Sequence, residues 1–357
     1  MIRIRVTLAT LVVLLLAAPG DTQPARATDG EGLYEAVAEH DLVTVQRLLE
    51  NGGDDIDSTL PSDSAASVCA PLKKAVADSW NEGTRLLLAH GADLDKRVAK
   101  CSMTMMHEAV YVHDFAVMKF LLEAGADPDL ASKNGAEPYL WAAASKKNAK
   151  TMALLLNFGA DPNAVDNEGN TALHSFATHD FRSEYGDGPG TAAWDTISET
   201  VSAFAQPRPS GMRTDFSARN KAGMTPLMIA ASNTSVALVQ QLVDHGAAPN
   251  DRGPEGRTPL HWAVQAYYEH TRPRQYIRDW GLVAGLFMKA LNSRMFVSNK
   301  EGRQTTYRLL EALIAGGADV SIADDDGRTP SQLASHRRCY RIAHKVRSLA
   351  AQARRRK

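Results

Sequence analysis

The chain has 357 residues, a length that suggests two or three domains unless the sequence is internally repetitive. Its formal net charge of −1 singles out neither nucleic acid nor a membrane surface as the partner. The charge is unevenly distributed, because Thr329 to Lys357 contains nine Arg or Lys and no Asp or Glu, so the remainder carries −10.

The first residues have the pattern of a secretory signal. Two arginines precede an apolar run, Val6 to Ala18, and Ala25-Arg26-Ala27 follows as a small-x-small cleavage motif. The run is short for a membrane span, and an uncleaved anchor is the alternative. We therefore expect residues 1–27 to be a signal peptide cleaved after Ala27, with Ala18 as the second choice. The mature protein is then exported to the periplasm or the medium, and the Arg- and Ala-rich composition favours a bacterial source.

The stretch from Asn157 to His174 predicts the end of one helix, a hairpin turn and the start of another helix. Gly159 suits the residue just beyond a helix, where the backbone turns left-handed without a Cβ penalty. Pro162 prevents that helix from continuing, and Asp166 to Gly169 favours a turn. Thr171 is a suitable cap for the helix that follows.

Both halves of this stretch recur along the chain. The helix-end half returns as Gly-Ala-Asp or Gly-Ala-Ala at Gly91, Gly125, Gly246 and Gly317. The helix-start half returns at Thr225, Thr258 and Thr329, and in a less similar form at Thr104. The step is 34 residues from Gly91 to Gly125 and again to Gly159, and 33 from Thr225 to Thr258. A fixed period of this size predicts a solenoid of stacked helix pairs.

At these residues the chain resembles the ankyrin-repeat family. The resemblance covers about Gly32 to Ala350 and implies an all-α solenoid of about eight helix-turn-helix repeats with hairpin fingers, within a domain at 28–350. The repeats would occupy about 32–66, 67–103, 104–136, 137–170, 171–224, 225–257, 258–328 and 329–350, before a basic tail at 351–357. The family implies a protein-binding scaffold with no cofactor and no catalytic residue of its own.

Two of the expected repeats are too long. The step from Thr171 to Thr225 is 54 residues, and the step from Thr258 to Thr329 is 71. We expect insertions at 179–215 and 266–303, the first containing a displaced second helix at 192–204 and the second containing a helix at 276–291. Long insertions in solenoids often carry function, but a tolerated surface elaboration is an equally open reading.

Histidines invite a catalytic reading, since imidazole is the usual acid, base or metal ligand near neutral pH. His107, His174 and His261, however, each end a Thr-x-x-His motif. In the family this imidazole bridges the helix-start Thr and neighbouring backbone, so a structural role is expected. The acidic run Asp324-Asp325-Asp326 is likewise expected to be a turn rather than a site for a divalent ion.

Cysteine usage leaves one question open. Cys69 and Cys101 lie shortly before helix starts of consecutive repeats, and an oxidising compartment would permit a disulfide between them. Equivalent positions of stacked repeats lie about 10 Å apart, whereas a disulfide needs Cα atoms closer than about 7 Å. Two small, partly buried thiols are the alternative.

Binding of a macromolecule at the protein surface is the function that remains once catalytic and metal sites are set aside. Expected partner-binding residues at finger tips and first helices are Tyr111, Lys133, Asn134, Lys146, Asn167, Glu168, His179, Glu255 and Arg257, and those in the insertions are Tyr185, Tyr267, Tyr268, Arg272 and Trp280. Tyr, Trp and Arg are enriched among interface hot spots. The basic C-terminus could touch nucleic acid or anionic lipid, but helix-dipole and solubility roles are preferred.

The resulting expectation is an exported, monomeric protein that binds a protein partner of unknown identity, with no nucleic acid and no membrane span after signal removal. By analogy, it could inhibit a periplasmic enzyme as an immunity protein does. One alternative is a secreted, host-directed effector. Another is an enzyme whose site lies in the insertions, where the titratable side chains are His179, Asp180, Asp187, His270 and Asp279.

Overall fold

Every regular element that the structure describes is helical. The structure is a computed structural model, and it describes residues 32–52, 55–57, 70–94, 104–130, 149–179, 191–206, 211–271 and 299–356. Within those ranges no strand occurs, which confirms the expected all-α class. The chain divides into two compact units, residues 1–134 (unit 1) and 135–357 (unit 2). The expected signal peptide at 1–27 lies outside the described residues.

Unit 1 contains three successive helix pairs among its described residues. The helices are α1 (Gly32–Ala38), α2 (Leu42–Asn51), α3 (Pro71–Ala77), α4 (Asn81–Ala89), α5 (Met105–Tyr111) and α6 (Phe115–Glu123). In the first row, contacts run from α1 through α3 to α5. In the second row, they run from α2 through α4 to α6. The two rows are the layers of a stacked helix-pair array.

Unit 2 has the same two rows. Its described helices are α7 (Ala149–Asn157), α8 (Ala172–Ala177), α9 (Ala192–Ala205), α10 (Pro226–Ser232), α11 (Val236–Asp244), α12 (Pro259–Thr271), α13 (Asn299–Ala315), α14 (Pro330–His336) and α15 (Tyr340–Arg356). Contacts run from α8 through α10 and α12 to α14, and from α7 through α9, α11 and α13 to α15. The helix that would precede α7 in its pair lies outside the described residues, so the number of repeats stays a prediction.

Packing rather than helix propensity stabilises these short helices. α10 has seven residues, whereas an isolated helix in water is marginal below about 12 residues. Five of the seven are buried, and the two alanines among them allow the neighbouring helices to approach closely. Leu227 in α10 and Leu260 in α12 are both fully buried. Each pair therefore depends on its neighbours for stability.

The Gly-Ala motif ends five of the described second helices in the way predicted for Gly159. Gly159 has a φ of 101°, and its N–H donates to Leu156 O at 3.2 Å while the N–H of Ala160 donates to Leu155 O at 3.1 Å. This pair of bonds is a Schellman cap, in which the residue after the glycine packs back on the helix. Ala160 is fully buried. The same bonds occur at Gly91, Gly125, Gly246 and Gly317.

Asparagine side chains connect consecutive turns in unit 2. Asn163 donates from Nδ2 to Arg213 O at 2.8 Å and accepts from the N–H of Asp215 at 2.8 Å. Asn250 repeats the arrangement with Gly317 O at 3.0 Å and the N–H of Asp319 at 2.6 Å. A single amide thus satisfies two backbone groups of the next turn, which would otherwise remain unpaired within the protein.

The described parts of the insertions leave the helix rows intact. The displaced second helix expected at 192–204 is present as α9, which contacts α7 and α11 in the second row. Around the second insertion α12 has 13 residues and α13 has 17, against seven and nine for α10 and α11. The helix expected at 276–291 lies outside the described residues.

In five pairs, the described loop between the two helices contains a left-handed residue that is not glycine. His40, Ser79, His113, Thr234 and Arg338 all have φ between 54° and 59°. This conformation costs roughly 1 kcal/mol or more for a residue with a Cβ. Thr234 is the least suited of the five because it is β-branched, 3% exposed, and its hydroxyl lacks a hydrogen-bond partner among the described residues.

We therefore predict that Thr234→Gly raises the free energy of unfolding by about 1 kcal/mol, because it removes left-handed strain and an unpaired buried hydroxyl. Thr234→Ala removes the hydroxyl and the methyl group but keeps the Cβ and its left-handed strain, so it should give a smaller increase. Urea denaturation of the two variants and the parent protein measures both effects. An unchanged or lower stability for Thr234→Gly would show that this loop is not strained.

Candidate functional site

Two histidines of unit 2, His174 and His261, are structural links between repeats. His174 Nδ1 lies 3.1 Å from Thr171 N and 2.9 Å from Thr171 Oγ1, and its Nε2 lies 3.0 Å from Met224 O. Because a carbonyl oxygen only accepts and a backbone N–H only donates, the proton of this imidazole belongs on Nε2. His261 makes the same contacts with Thr258 and with Arg328 O at 2.9 Å. Both histidines are fully buried.

Other repeats use the same position in related ways. In unit 1, His107 Nδ1 lies 2.7 Å from Thr104 Oγ1 and is fully buried. In unit 2, Gln332 replaces the histidine, and its Oε1 accepts from the N–H of Thr329 at 2.8 Å. A neutral amide therefore performs the capping half of the histidine's role, which confirms that the role is structural.

Burial affects the acid-base behaviour of these histidines. Desolvation lowers the pKa of His174 below its ordinary value of 6.5, although the bond to Met224 O acts in the opposite direction. Burial also lowers the pKa of His261, against the bond to Arg328 O and the charge of Asp324. The neutral form is the one that fits, since a proton on Nδ1 would face the N–H of the capping threonine.

Arginines engage the acidic run near the C-terminus. Asp324 accepts from the N–H of Arg328 at 2.8 Å and from its Nε at 3.2 Å, and Asp326 pairs with the same guanidinium. Asp325 pairs with Arg252 at 2.9 Å. The run forms a turn before Thr329, as expected. Across the described ranges, no group of three or more His, Cys, Asp or Glu is placed to hold a metal ion.

The turns between pairs in unit 2, which we call fingers, are joined through their backbones. The 220–224 finger donates from Lys221 N to Glu168 O of the 166–170 finger at 3.0 Å, and Asp325 N donates to Glu255 O at 3.0 Å. The side chains of Asn167, Glu168 and Glu255 remain exposed. Rigid backbones thus carry exposed polar side chains, as expected for these three residues.

Arg257 differs from expectation because it is 5% exposed. Its guanidinium bonds the Glu255 carboxylate at 2.6 Å and lies 5.6 Å from the centre of the Trp262 ring. The ion pair and the ring contact hold it against the repeat. The guanidinium at this position is therefore buried rather than exposed, and a role of Arg257 in partner binding stays a prediction.

Tyr267 and Tyr268 are half-buried at the start of the second insertion. The Arg337 guanidinium lies 4.8 Å from the Tyr268 ring centre, which joins α12 to the end of α14. Burial raises the pKa of Tyr267, while the positive charge of Arg303 in α13 opposes the increase. Both tyrosines therefore contribute to packing between helices, and only their exposed parts are left for a partner.

The other expected site residues have mixed outcomes. Tyr111 is 64% exposed on unit 1, and His179 is half-exposed just after α8. Outside the described residues lie Lys133, Asn134, Lys146, Tyr185, Arg272, Trp280, Cys69 and Cys101. No helix in the described part of the chain is both long enough and apolar enough to cross a membrane.

Sequence reasoning did not identify Arg303 and Arg337 as part of the region around Tyr267 and Tyr268. Each arginine comes from a different helix, more than 30 positions along the chain from the tyrosines. No periodic motif relates such distant residues. The signal in the sequence was the greater length of the repeat that begins at Thr258, which indicated an insertion but not its contacts.

The stacked pairs, capped helix starts and backbone-linked fingers define a repeat scaffold of the kind that presents side chains to a macromolecule. A family model described as ankyrin repeats (3 copies) matches residues 33–132, 106–183 and 192–272, which is more than half of the chain. The chain belongs to the ankyrin-repeat family. It therefore mediates protein–protein interaction.

Relatives with curated descriptions share these repeats. Ankyrin repeat and SOCS box protein 16 of Mus musculus is 30% identical over 232 residues, or 55% of this chain and 48% of its own length. The Homo sapiens protein of that name is 27% identical over 280 residues, or 69% and 61%. The E3 ubiquitin-protein ligase KEG of Arabidopsis thaliana is 27% identical over 147 residues, or 40% and 9%. The chain thus spans less than two thirds of each of these relatives.

Among solved structures, the crystal structure of the ankyrin repeat domain of Bcl-3 is similar to this chain. The two are 21% identical with a TM-score of 0.48, and the match covers 88% of this chain and 97% of that one.

The buried histidines predict a pH-dependent stability of unit 2. Their folded pKa values lie below 6.5, so the unfolded chain binds more protons and stability falls as pH decreases below that value. The loss is at most about 1.4 kcal/mol per pH unit for each histidine. The double variant His174→Gln/His261→Gln introduces the amide side chain that Gln332 already provides at this position, and it should show a smaller decrease.

Thermal or urea unfolding at several pH values between neutral and mildly acidic measures this difference. Replacing the exposed His344 with Gln is the matched control and should leave the pH profile of the parent protein unchanged. Equal slopes for the parent and the double variant would mean that the two buried imidazoles take up protons as readily when folded as when unfolded.

Proposed function

We propose that this chain is an exported, non-catalytic binding protein that holds a partner protein on the finger side of unit 2. Asn167, Glu168 and Glu255 would provide the polar rim of the contact. An inhibitor or immunity protein for an exported enzyme is the form of this function that best suits a binding scaffold delivered outside the cytoplasm.

The pre-organised fingers are the observation that carries the proposal. The tips at Glu168 and Glu255 are each fixed by a backbone hydrogen bond from the next finger, donated by Lys221 N and by Asp325 N. Lys221 Nζ adds a bond to Asn167 O at 2.6 Å. Since the backbone is already ordered, a partner would lose little conformational entropy from this side of the interface on binding. Exposed charges on such a frame are suited to steering and selecting a partner.

The hydrogen bonds and ion pairs of the reactive side chains support a non-catalytic role. The imidazoles of His174 and His261 are bonded at both ring nitrogens. The carboxylates of Asp324 and Asp326 are paired with Arg328. A general acid or base needs a proton that substrate can reach, and the buried His174, His261 and Asp324 offer none at the surface.

Export rests on the N-terminal pattern of two arginines, an apolar run and Ala25-Arg26-Ala27. Expressed with its full leader in a bacterial host, the protein should be recovered from the periplasm or medium with Thr28 as its first residue. N-terminal sequencing or intact mass measures the cleavage site. A mature protein starting at Pro19 would support export with the other cleavage site, and a cytoplasmic full-length chain would contradict export.

Capture of the mature protein from the periplasm and the medium, followed by mass spectrometry, identifies the bound chain. Glu168→Lys should then weaken binding of the purified partner by about tenfold, mainly through slower association, because it reverses a rim charge. Glu199→Lys is the matched control, since Glu199 is an exposed residue of α9 in the second-helix row. Equal binding by both variants would remove the fingers from the interface.

The same capture distinguishes the rival functions. A captured periplasmic enzyme whose activity falls on binding supports the inhibitor. A partner found only among host proteins, with the mature chain in the medium, supports a host-directed effector instead.

A further inference from the structure

Three buried polar atoms without a hydrogen-bond partner among the described residues belong to α12 and the finger before it. Arg257 Nε, Trp262 Nε1 and Gln265 Oε1 each lack a hydrogen-bond partner among the described residues. The three side chains are neighbours, because the Arg257 guanidinium lies over the Trp262 ring and Gln265 is one helical turn from Trp262 along α12. Gln265 is 3% exposed and Arg257 is 5% exposed. A buried polar atom without a partner costs about 1–3 kcal/mol, so three together need an explanation.

The finger before α12 shows why Arg257 has a spare donor. Four fingers share one backbone pattern and begin at Asp166, Asn220, Gly253 and Asp324. The first residue of the other three accepts from the N–H of the residue that precedes the threonine cap. Asp324 also accepts from Arg328 Nε at 3.2 Å. Gly253 has no side chain, so the equivalent Nε of Arg257 is left without an acceptor.

Gln265 is exceptional in the same way. The equivalent residues in α8 and α10 are Thr178 and Ser232, whose hydroxyls donate to carbonyls of their own helices at 2.7 and 2.8 Å. Gln265 instead donates from Nε2 to the Glu269 carboxylate at 2.6 Å. This bond orients the amide, so Oε1 is an acceptor without a donor. The equivalent positions in α8 and α10 are satisfied within the repeat, whereas this one is not.

We propose that Arg257, Trp262 and Gln265 form a seat for one amide group of a bound polypeptide, either a main-chain peptide or an Asn or Gln side chain. The amide carbonyl accepts from Arg257 Nε and Trp262 Nε1, and the amide N–H donates to Gln265 Oε1. The seat rests on the proposed function, because it specifies the chemistry by which unit 2 recognises its partner.

An amide fits this seat better than a carboxylate. Two N–H donors beside one carbonyl acceptor match a group that both accepts and donates, whereas a carboxylate only accepts and would face Gln265 Oε1. The charge of Arg257 is already compensated by Glu255 at 2.6 Å, and Glu269 adds a second carboxylate at the other end of the seat. An incoming anion would therefore meet little net attraction.

Two exposed carboxylates border the seat and can change rotamer. Glu255 and Glu269 are both exposed, and each is bonded to one member of the seat. Rotamer changes of exposed side chains take picoseconds to nanoseconds, so neither carboxylate prevents entry.

The indole N–H of Trp262 reports directly on occupancy of the seat. In the ¹⁵N-labelled full chain, its signal is assigned by its loss in Trp262→Phe, which keeps an aromatic ring over Arg257. N-methylacetamide, a single peptide group, is titrated in parallel with sodium acetate. We expect N-methylacetamide to shift the Trp262 indole signal saturably while the other indole signals stay in place, and acetate to give no saturable shift.

Gln265→Met removes the acceptor at nearly constant size and should weaken the N-methylacetamide response about fivefold, the value of one hydrogen bond. Ser232→Ala, at the equivalent position of α10, should leave the response unchanged. Absence of a saturable shift with N-methylacetamide, tighter binding of acetate, or an equal response in Gln265→Met each overturns the proposal.

The result of the N-methylacetamide titration is independent of the result of partner capture. A captured partner together with an unresponsive indole removes the amide seat and leaves the binding function. A responsive indole without any captured partner supports the seat and counts against the function.

Discussion

One imidazole in each of two repeats fixes where the next repeat starts. His174 ties its own threonine cap to Met224 O, and His261 ties its cap to Arg328 O. The accepting carbonyl belongs in both cases to the residue immediately before the next threonine cap. The contact therefore aligns two helix starts directly, whatever lies between them in the sequence. It is buried, so it requires a neutral ring and an accurate distance.

This constraint explains how the insertions are accommodated. The two imidazole contacts span 50 and 67 residues, yet their lengths agree within 0.1 Å, at 3.0 and 2.9 Å. Between the first helices and the next fingers, α9 and α13 keep their places in the second row. The entropy of closing a flexible loop increases only logarithmically with its length, so long insertions cost little while the fingers stay joined. Unit 2 can thus carry additional surface without losing its repeat geometry.

Comparison of the fingers identifies the one whose hydrogen bonding is incomplete. Asp324 completes the hydrogen bonding of Arg328 and the fingers at Asp166 and Asn220 have equivalent acceptors, whereas Gly253 leaves Arg257 with a spare donor. Buried polar groups are costly unless they are paired. In a family whose members bind proteins, a partner is a natural source of the missing groups. In the proposed complex, the exposed finger tips would provide the first contact and the buried seat the selective one.

Local patterns determined much of this protein from the sequence alone. The Gly-Ala helix ends, the threonine caps and the helix at 192–205 follow from interactions within about five residues, which recur with the repeat. Burial of Arg257 and the contact of Arg337 with Tyr268 were decided only by tertiary structure. The missing acceptor at Gly253 could not be predicted from the sequence, because glycine is common in turns. It becomes evident only when the side-chain acceptors of the other fingers are compared with it. Contacts between different repeats depend on the shapes of both partners, and no single repeat encodes them.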